Sequence, residues 1–168
     1  RLDAKGRIDT VPAEIMLVEP IDKGSSVKRE RVITASLNND QRDRLVPGLS
    51  DIIDGTVAVE LSLVDDKHQA VKLDLGKAAL SIPYVGWTKG SGIPAKASFE
   101  LSKTDSRTSI EKFALDGDGF GARGEISLVG NQLSAASFSS MNLSPADNFA
   151  VTLKQSKGVY DISVTGTT

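Results

Sequence analysis

Gly119-Phe-Gly-Ala-Arg-Gly124 has the glycine spacing of a dinucleotide-binding turn. That chemistry needs a strand before the glycines and a helix after them, so that the helix N-terminus meets a pyrophosphate. Here the glycines lead into Glu125-Ile-Ser-Leu-Val-Gly130, which alternates as a strand does. About twenty residues on, where a carboxylate would hold the ribose, stands Ser144, with Asp147 nearby. The segment reads as a hairpin turn at Asp116-Gly-Asp-Gly119 running into a glycine-rich strand, its glycines marking bulges or close packing. Asp116 and Asp118 could open a calcium loop, but Phe120 occupies the fifth position, where an oxygen ligand is wanted. His68, the single histidine, stands beside Asp65 and Asp66 and reads as a surface residue of a turn; a triad or zinc site would require distant partners. No Gly-x-Ser-x-Gly elbow occurs, and Asn142-Leu-Ser144 is a sequon of the kind that arises by chance. The expectation is a protein that is not an enzyme and has no catalytic residues, no metal and no cofactor.

Composition narrows the partners. The 168 residues carry 20 basic and 22 acidic side chains, a net charge of −2. Nucleic acid needs clustered Lys and Arg; the densest basic run, Lys28-Arg29-Glu30-Arg31, is interrupted by a glutamate and reads as a solvated strand face. Without cysteine there is no disulfide, thiolate metal site or thiol nucleophile. No apolar run is long enough for a membrane helix, and a barrel spanning a membrane would want aromatic girdles that a 5% aromatic chain lacks. The chain starts at Arg1, which reads as a piece of a longer protein whose signal or anchor lies outside it.

The elements that must position any site are strands. In Gly55–Val64, Val57, Val59, Leu61 and Leu63 share one face and Thr56, Ala58, Glu60 and Ser62 the other. Residues 1–37 hold two or three strand candidates, with Ala13, Ile15 and Leu17 alternating before Pro20, and Arg31, Ile33, Ala35 and Leu37 after Gly24-Ser-Ser26. Leu45, Leu49, Ile52 and Ile53 then take helical spacing behind the capping candidates Asn38, Asn39 and Asp40; Pro47-Gly48 splits them into two short helical pieces, 39–45 and 47–54. Further strands are expected over 56–64, 69–75, from Ala78 through Ile82, and over 95–103, 108–116, 119–130, 132–141, 147–156 and 158–166. Thr88–Pro94 reads as a loop, and short turns such as Gly130-Asn131 and Lys157-Gly158 imply antiparallel pairing of sequence neighbours.

Ser81–Ala95 is the most distinctive stretch, with the only Trp, Trp87, one of two Tyr, and Pro83 and Pro94. Trp87 is expected to cover one end of the apolar face, as amphipathic aromatics do at wet boundaries, or to contact a ligand. The run Leu73-Asp-Leu-Gly-Lys-Ala-Ala-Leu-Ser-Ile-Pro-Tyr-Val-Gly-Trp-Thr-Lys-Gly-Ser-Gly-Ile-Pro-Ala95 resembles a stretch of AsmA-like proteins, especially the YhdP-type C-terminal region. So do Phe113–Ile126, Phe138, Asn142–Phe149 and Gly158–Gly166. The resemblance covers about residues 40–168. It implies a large Gram-negative envelope protein, anchored in the inner membrane by a helix outside this chain, whose periplasmic body, like that of TamB-like proteins, is a curled sheet with an apolar channel for phospholipid.

The expected fold is therefore mainly β, one domain over 1–168: an antiparallel meander forming a curled, groove-like (β-taco-like) sheet with one or two short helices near 39–54. The expected partners are phospholipid acyl chains, held by Val57, Val59, Leu61, Leu63, Trp87, Phe99 and Leu101, and adjacent β-segments of the same protein. The alternative is a closed β-sandwich or barrel acting as a structural or interaction module, its apolar face simply core.

Overall fold

A computed structural model describes residues 1–167 except 23, 25, 46–50, 66, 83–85 and 131. The alternating segments become β1 (Leu2–Ile8), β2 (Val11–Val18), β3 (Glu30–Leu37), β4 (Ile53–Gly55), β5 (Val57–Leu63), β6 (His68–Asp74), β7 (Ala78–Ile82), β8 (Trp87–Lys89), β9 (Ala95–Lys103), β10 (Arg107–Gly117), β11 (Gly121–Val129), β12 (Gln132–Asn142), β13 (Asn148–Ser156) and β14 (Val159–Thr167). Among the described residues the one helix is α1 (Asn39–Leu45), which follows β3.

Eleven strands pair antiparallel in the order β1-β2-β3-β5-β6-β9-β10-β11-β12-β13-β14, and β4, β7 and β8 form a separate three-stranded sheet. The large sheet is curled and does not close into a barrel; β1 and β14 are its two edges. A closed barrel is thus not what this face builds. Sequence neighbours pair as the short turns require, except where β3 skips β4 to reach β5, and β6 skips β7 and β8 to reach β9. The β13–β14 turn is the expected two-residue Lys157-Gly158, both with positive φ (51° and 80°), the conformation whose twist suits a tight hairpin. Asn131 of the Gly130-Asn131 turn, Asp66 of the 65–68 turn and Ser25 lie outside the described residues.

The two excursions make a cap. Asn38 is the helix N-cap: its Oδ1 accepts from Gln41 N at 2.9 Å while Gln41 Oε1 accepts from Asn38 N at 3.0 Å, a reciprocal capping box. Asn39 instead reaches β4, where its Oδ1 accepts from Gly55 N at 2.8 Å and from the Arg42 guanidinium at 2.9 Å. Arg42, 4% exposed, also donates to the carbonyls of Gly55 and Ile53. The expected second helical piece over 47–54 fails at its end: Ile53–Gly55 is a strand paired with Ala78–Leu80, and Ile52 O takes Ser81 N at 2.8 Å. Residues 47–50, with Pro47 and Gly48, lie outside the described residues. The expected loop Thr88–Pro94 is also shorter than foreseen, because Trp87–Lys89 pairs with Leu80–Ile82. Pro83 and Tyr84 lie outside the described residues.

The core forms where this cap meets the large sheet. Val57, Leu75, Ala78, Leu80, Ala95, Ala97 and Phe120 are buried together, with Ile53, Val59, Leu73, Trp87, Phe113 and Leu115 packed against them. Lys89 is buried there too, 2% exposed; its Nζ donates to the carbonyls of Leu75 at 2.7 Å and Ala78 at 2.6 Å. Burial pushes this ammonium below its ordinary pKa, with nearby Asp74 opposing the shift.

Candidate ligand-binding face

The register aligns apolar residues into rows that cross the large sheet. One row runs Gly6, Ala13, Ala35, Val59, Leu73, Ala97, Leu115, Ala122, Met141, Phe149 and Gly166, each opposite the next on a neighbouring strand. Two residues along each strand, on the same face, lie Ala4, Ile15, Ile33, Leu61, Val71 and Phe99. Phe113, Gly124, Phe138, Val151 and Val164 carry that second row to the other edge. A third holds Leu63, Gln69, Leu101, Ile110, Ile126, Ala136, Leu153 and Ile162.

Two β-bulges keep these rows on one face. In β10 the register slips between Ile110 and Phe113, with Lys112 at a φ of 53°, so Ile110 and Phe113 point the same way despite odd spacing. In β12 Ser139 is the extra residue between Phe138 and Ser140. Aromatic rings then thicken the second row: Phe99 stacks on Phe113 with centroids 6.4 Å apart, and Phe113 meets Phe138 edge to face at 6.0 Å. Trp87 meets Phe120 at 5.0 Å in the cap, and its indole N–H donates to Leu143 O at 2.9 Å, placing it at one end of the apolar face as expected.

The residues foreseen for lipid divide between the cap and the uncovered rows. Leu61 and Leu63 of β5 and Phe99 and Leu101 of β9 share the uncovered rows, bridged by Val71 and Gln69 of β6. Val59 sits at the border of the cap. Val57 is 2% exposed inside the core, sealed by Leu75, Ala78 and Leu80, so it offers no surface to a ligand. Phe113 and Phe138 belong to the face as well, although the bulges hide them from a period-2 pattern. Val71, 6% exposed, is shielded within it.

The opposite face is polar and compensates its own charge. A shallow depression of about 770 Å³ crosses β1 to β9 there, lined by Lys5, Glu14, Glu60 and Lys72. These pair as Lys5–Glu14 at 3.1 Å and Lys72–Glu60 at 2.8 Å. Arg31 is different: opposite Leu17 and two residues from Ile33, it lies at the turn end of the apolar face, and it pairs there, with Arg29, to Glu19. His68 Nδ1 lies 2.8 Å from Asp65, whose carboxyl is held below its usual range chiefly by the Lys67 backbone N–H. The glycine-rich segment is the β10–β11 hairpin, with a strand and no helix after Gly124. Gly117 N bonds Phe120 O across its turn at 3.0 Å. Among the described residues no three His, Cys, Asp or Glu side chains gather as a metal set, and no helix is long and apolar enough to cross a membrane.

Compared with known proteins, the chain matches no family model, no curated sequence and no solved structure.

Proposed function

We propose that this chain is a segment of an AsmA-like periplasmic protein, anchored in the inner membrane through a region outside the chain, whose apolar sheet face carries phospholipid between the inner and outer membranes. The observation that carries this reading is the set of apolar rows running from edge strand to edge strand, covered by the cap only at one end. Acyl chains need no directional site: each methylene removed from water contributes about 0.8 kcal/mol. A contiguous uncovered apolar face is otherwise unusual on a soluble protein and marks a binding surface. The residue resemblance points the same way, and the uncapped edges β1 and β14 suit continuation by adjacent β-segments of the same protein.

The test is native mass spectrometry of the protein purified from Gram-negative cells, with photo-crosslinking to a diazirine-bearing phosphatidylethanolamine. Bound phospholipid, with crosslinks on Leu61, Phe99 or Leu101, is expected. Protein free of lipid and unlabelled on this face would return it to the role of a structural module.

A further inference from the structure

On the neighbouring strands β6, β9 and β10 the uncovered face turns polar toward one end, whereas on β5 it stays apolar there with Leu63. Along β9 the residues on this face run Ala95, Ala97, Phe99, Leu101, Lys103, from 3% exposed at the cap to exposed at the turn. On β6 the face ends in Gln69, opposite Leu101, and on β10 in Thr108, opposite Lys103. The cap end is sealed by side chains such as Ala78, 0% exposed, and Phe120, 8% exposed. Lys103 enters no ion pair among the described residues, whereas Arg31, the other cation at this end of the face, is already held by Glu19.

We infer that the bound phospholipid lies along the strands, acyl termini toward the cap at Trp87 and Ala97, with its phosphate at the open turn end against Lys103 and its ester region beside Gln69. The inference rests on the lipid reading above. The face supplies the matching gradient: apolar contacts where methylenes must lie, then an amide and a cation where the esters and phosphate emerge. From Ala97 to Lys103 the strand advances ~20 Å at about 3.4 Å per residue. That is comparable with one leaflet's share, about 15 Å, of a hydrocarbon core ~30 Å thick. The reverse orientation would bury a phosphate against Ala78 and Leu80 with the buried Lys89 Nζ already committed to two carbonyls.

The experiment loads the purified chain with phosphatidylglycerol, or with uncharged diacylglycerol of the same chains, and compares wild type with Lys103→Glu and Lys103→Gln. Phosphatidylglycerol retention is expected to fall about tenfold in Lys103→Glu, less in Lys103→Gln, with diacylglycerol retention unchanged. Phosphatidylglycerol spin-labelled near the esters should broaden amide signals at Gln69 and Lys103, and the chain-terminal label those at Trp87 and Ala97. Binding of both lipids with no effect of Lys103, or a reversed broadening pattern, overturns the orientation and leaves the lipid reading standing. Failure of both lipids to bind overturns the lipid reading itself.

Discussion

Phe113 and Phe138 touch edge to face at 6.0 Å although their strands, β10 and β12, are not hydrogen-bonded to each other. The strand between them contributes Gly124, which pairs in register with both. With no side chain there, the two rings close over the glycine and cover its backbone, and Phe99 extends the stack to β9. The glycine that completes a nominal nucleotide-binding pattern is in structure the gap that lets an aromatic ladder form.

Gly124→Ala tests that gap. An added Cβ would lie 2.3 Å from Ser137 O and 2.7 Å from the Phe138 ring, and the first of these is backbone. The sheet must shift, at a cost of about 2 kcal/mol in urea denaturation. Phe138→Ala relieves the ring but not the carbonyl, so most of the loss should persist in the double variant. A Gly124→Ala protein as stable as wild type would mean that the strands do not approach this closely.

Lys89→Met keeps an apolar stem and removes the donor shared by the Leu75 and Ala78 carbonyls. A loss of about 2 kcal/mol is expected from the stranded acceptors. The pH dependence has a definite sign. Because burial lowers the folded pKa of Lys89 below its ordinary 10.5, the unfolded chain binds more protons between the two values. Stability from this group therefore rises with pH across that window. The wild-type minus Lys89→Met difference in unfolding midpoint should grow from neutral pH toward pH 10.5; a shrinking difference would contradict the burial.

Asn39→Ala should loosen the cap without unfolding the sheet. Gly55 N loses the acceptor it holds at 2.8 Å, and Arg42 loses one of its partners. Hydrogen exchange at Gly55 is expected to accelerate at least tenfold, while Leu61 and Val71 in the large sheet keep their protection. Equal acceleration everywhere would show that cap and sheet open as one unit.

The large sheet was legible because its strands alternate and its turns are short; β5, β9 and β13 fall within a residue or two of their expected bounds. The cap was not. Ile53 and Ile52 fit helical spacing, yet Ile53 pairs with Leu80, a partner 27 positions away that no local pattern reveals. Lys89 looked like loop solvent because its burial depends on two carbonyls from the preceding excursion. Period-2 reading also fails at bulges, which is why Phe99 and Leu101 were visible on the straight strand β9 and Phe113 and Phe138 were not.

The β10 bulge turns on Lys112. Lys112 holds a φ of 53°, which L side chains adopt at a cost and β-branched ones hardly at all. Its ammonium also binds Glu100 at 2.7 Å, offsetting the like charges of Glu100 and Glu111 directly opposite each other, and that hydrogen bond raises its pKa. Backbone and charge separate by substitution. Lys112→Gln keeps the strained conformation and loses the charge, Lys112→Gly relieves the strain and loses the charge, and Lys112→Val loses the charge and worsens the strain. If the bulge geometry dominates, unfolding midpoints should fall in the order Gly, Gln, Val, with Gly close to wild type because an exposed ion pair contributes little. Only the Val variant should also disturb the Phe99–Phe113 stack, since forcing residue 112 to extended φ pushes Phe113 toward the polar face. Equal midpoints for Gly and Val would assign the position to charge alone, and the aromatic ladder would then need no bulge to hold it.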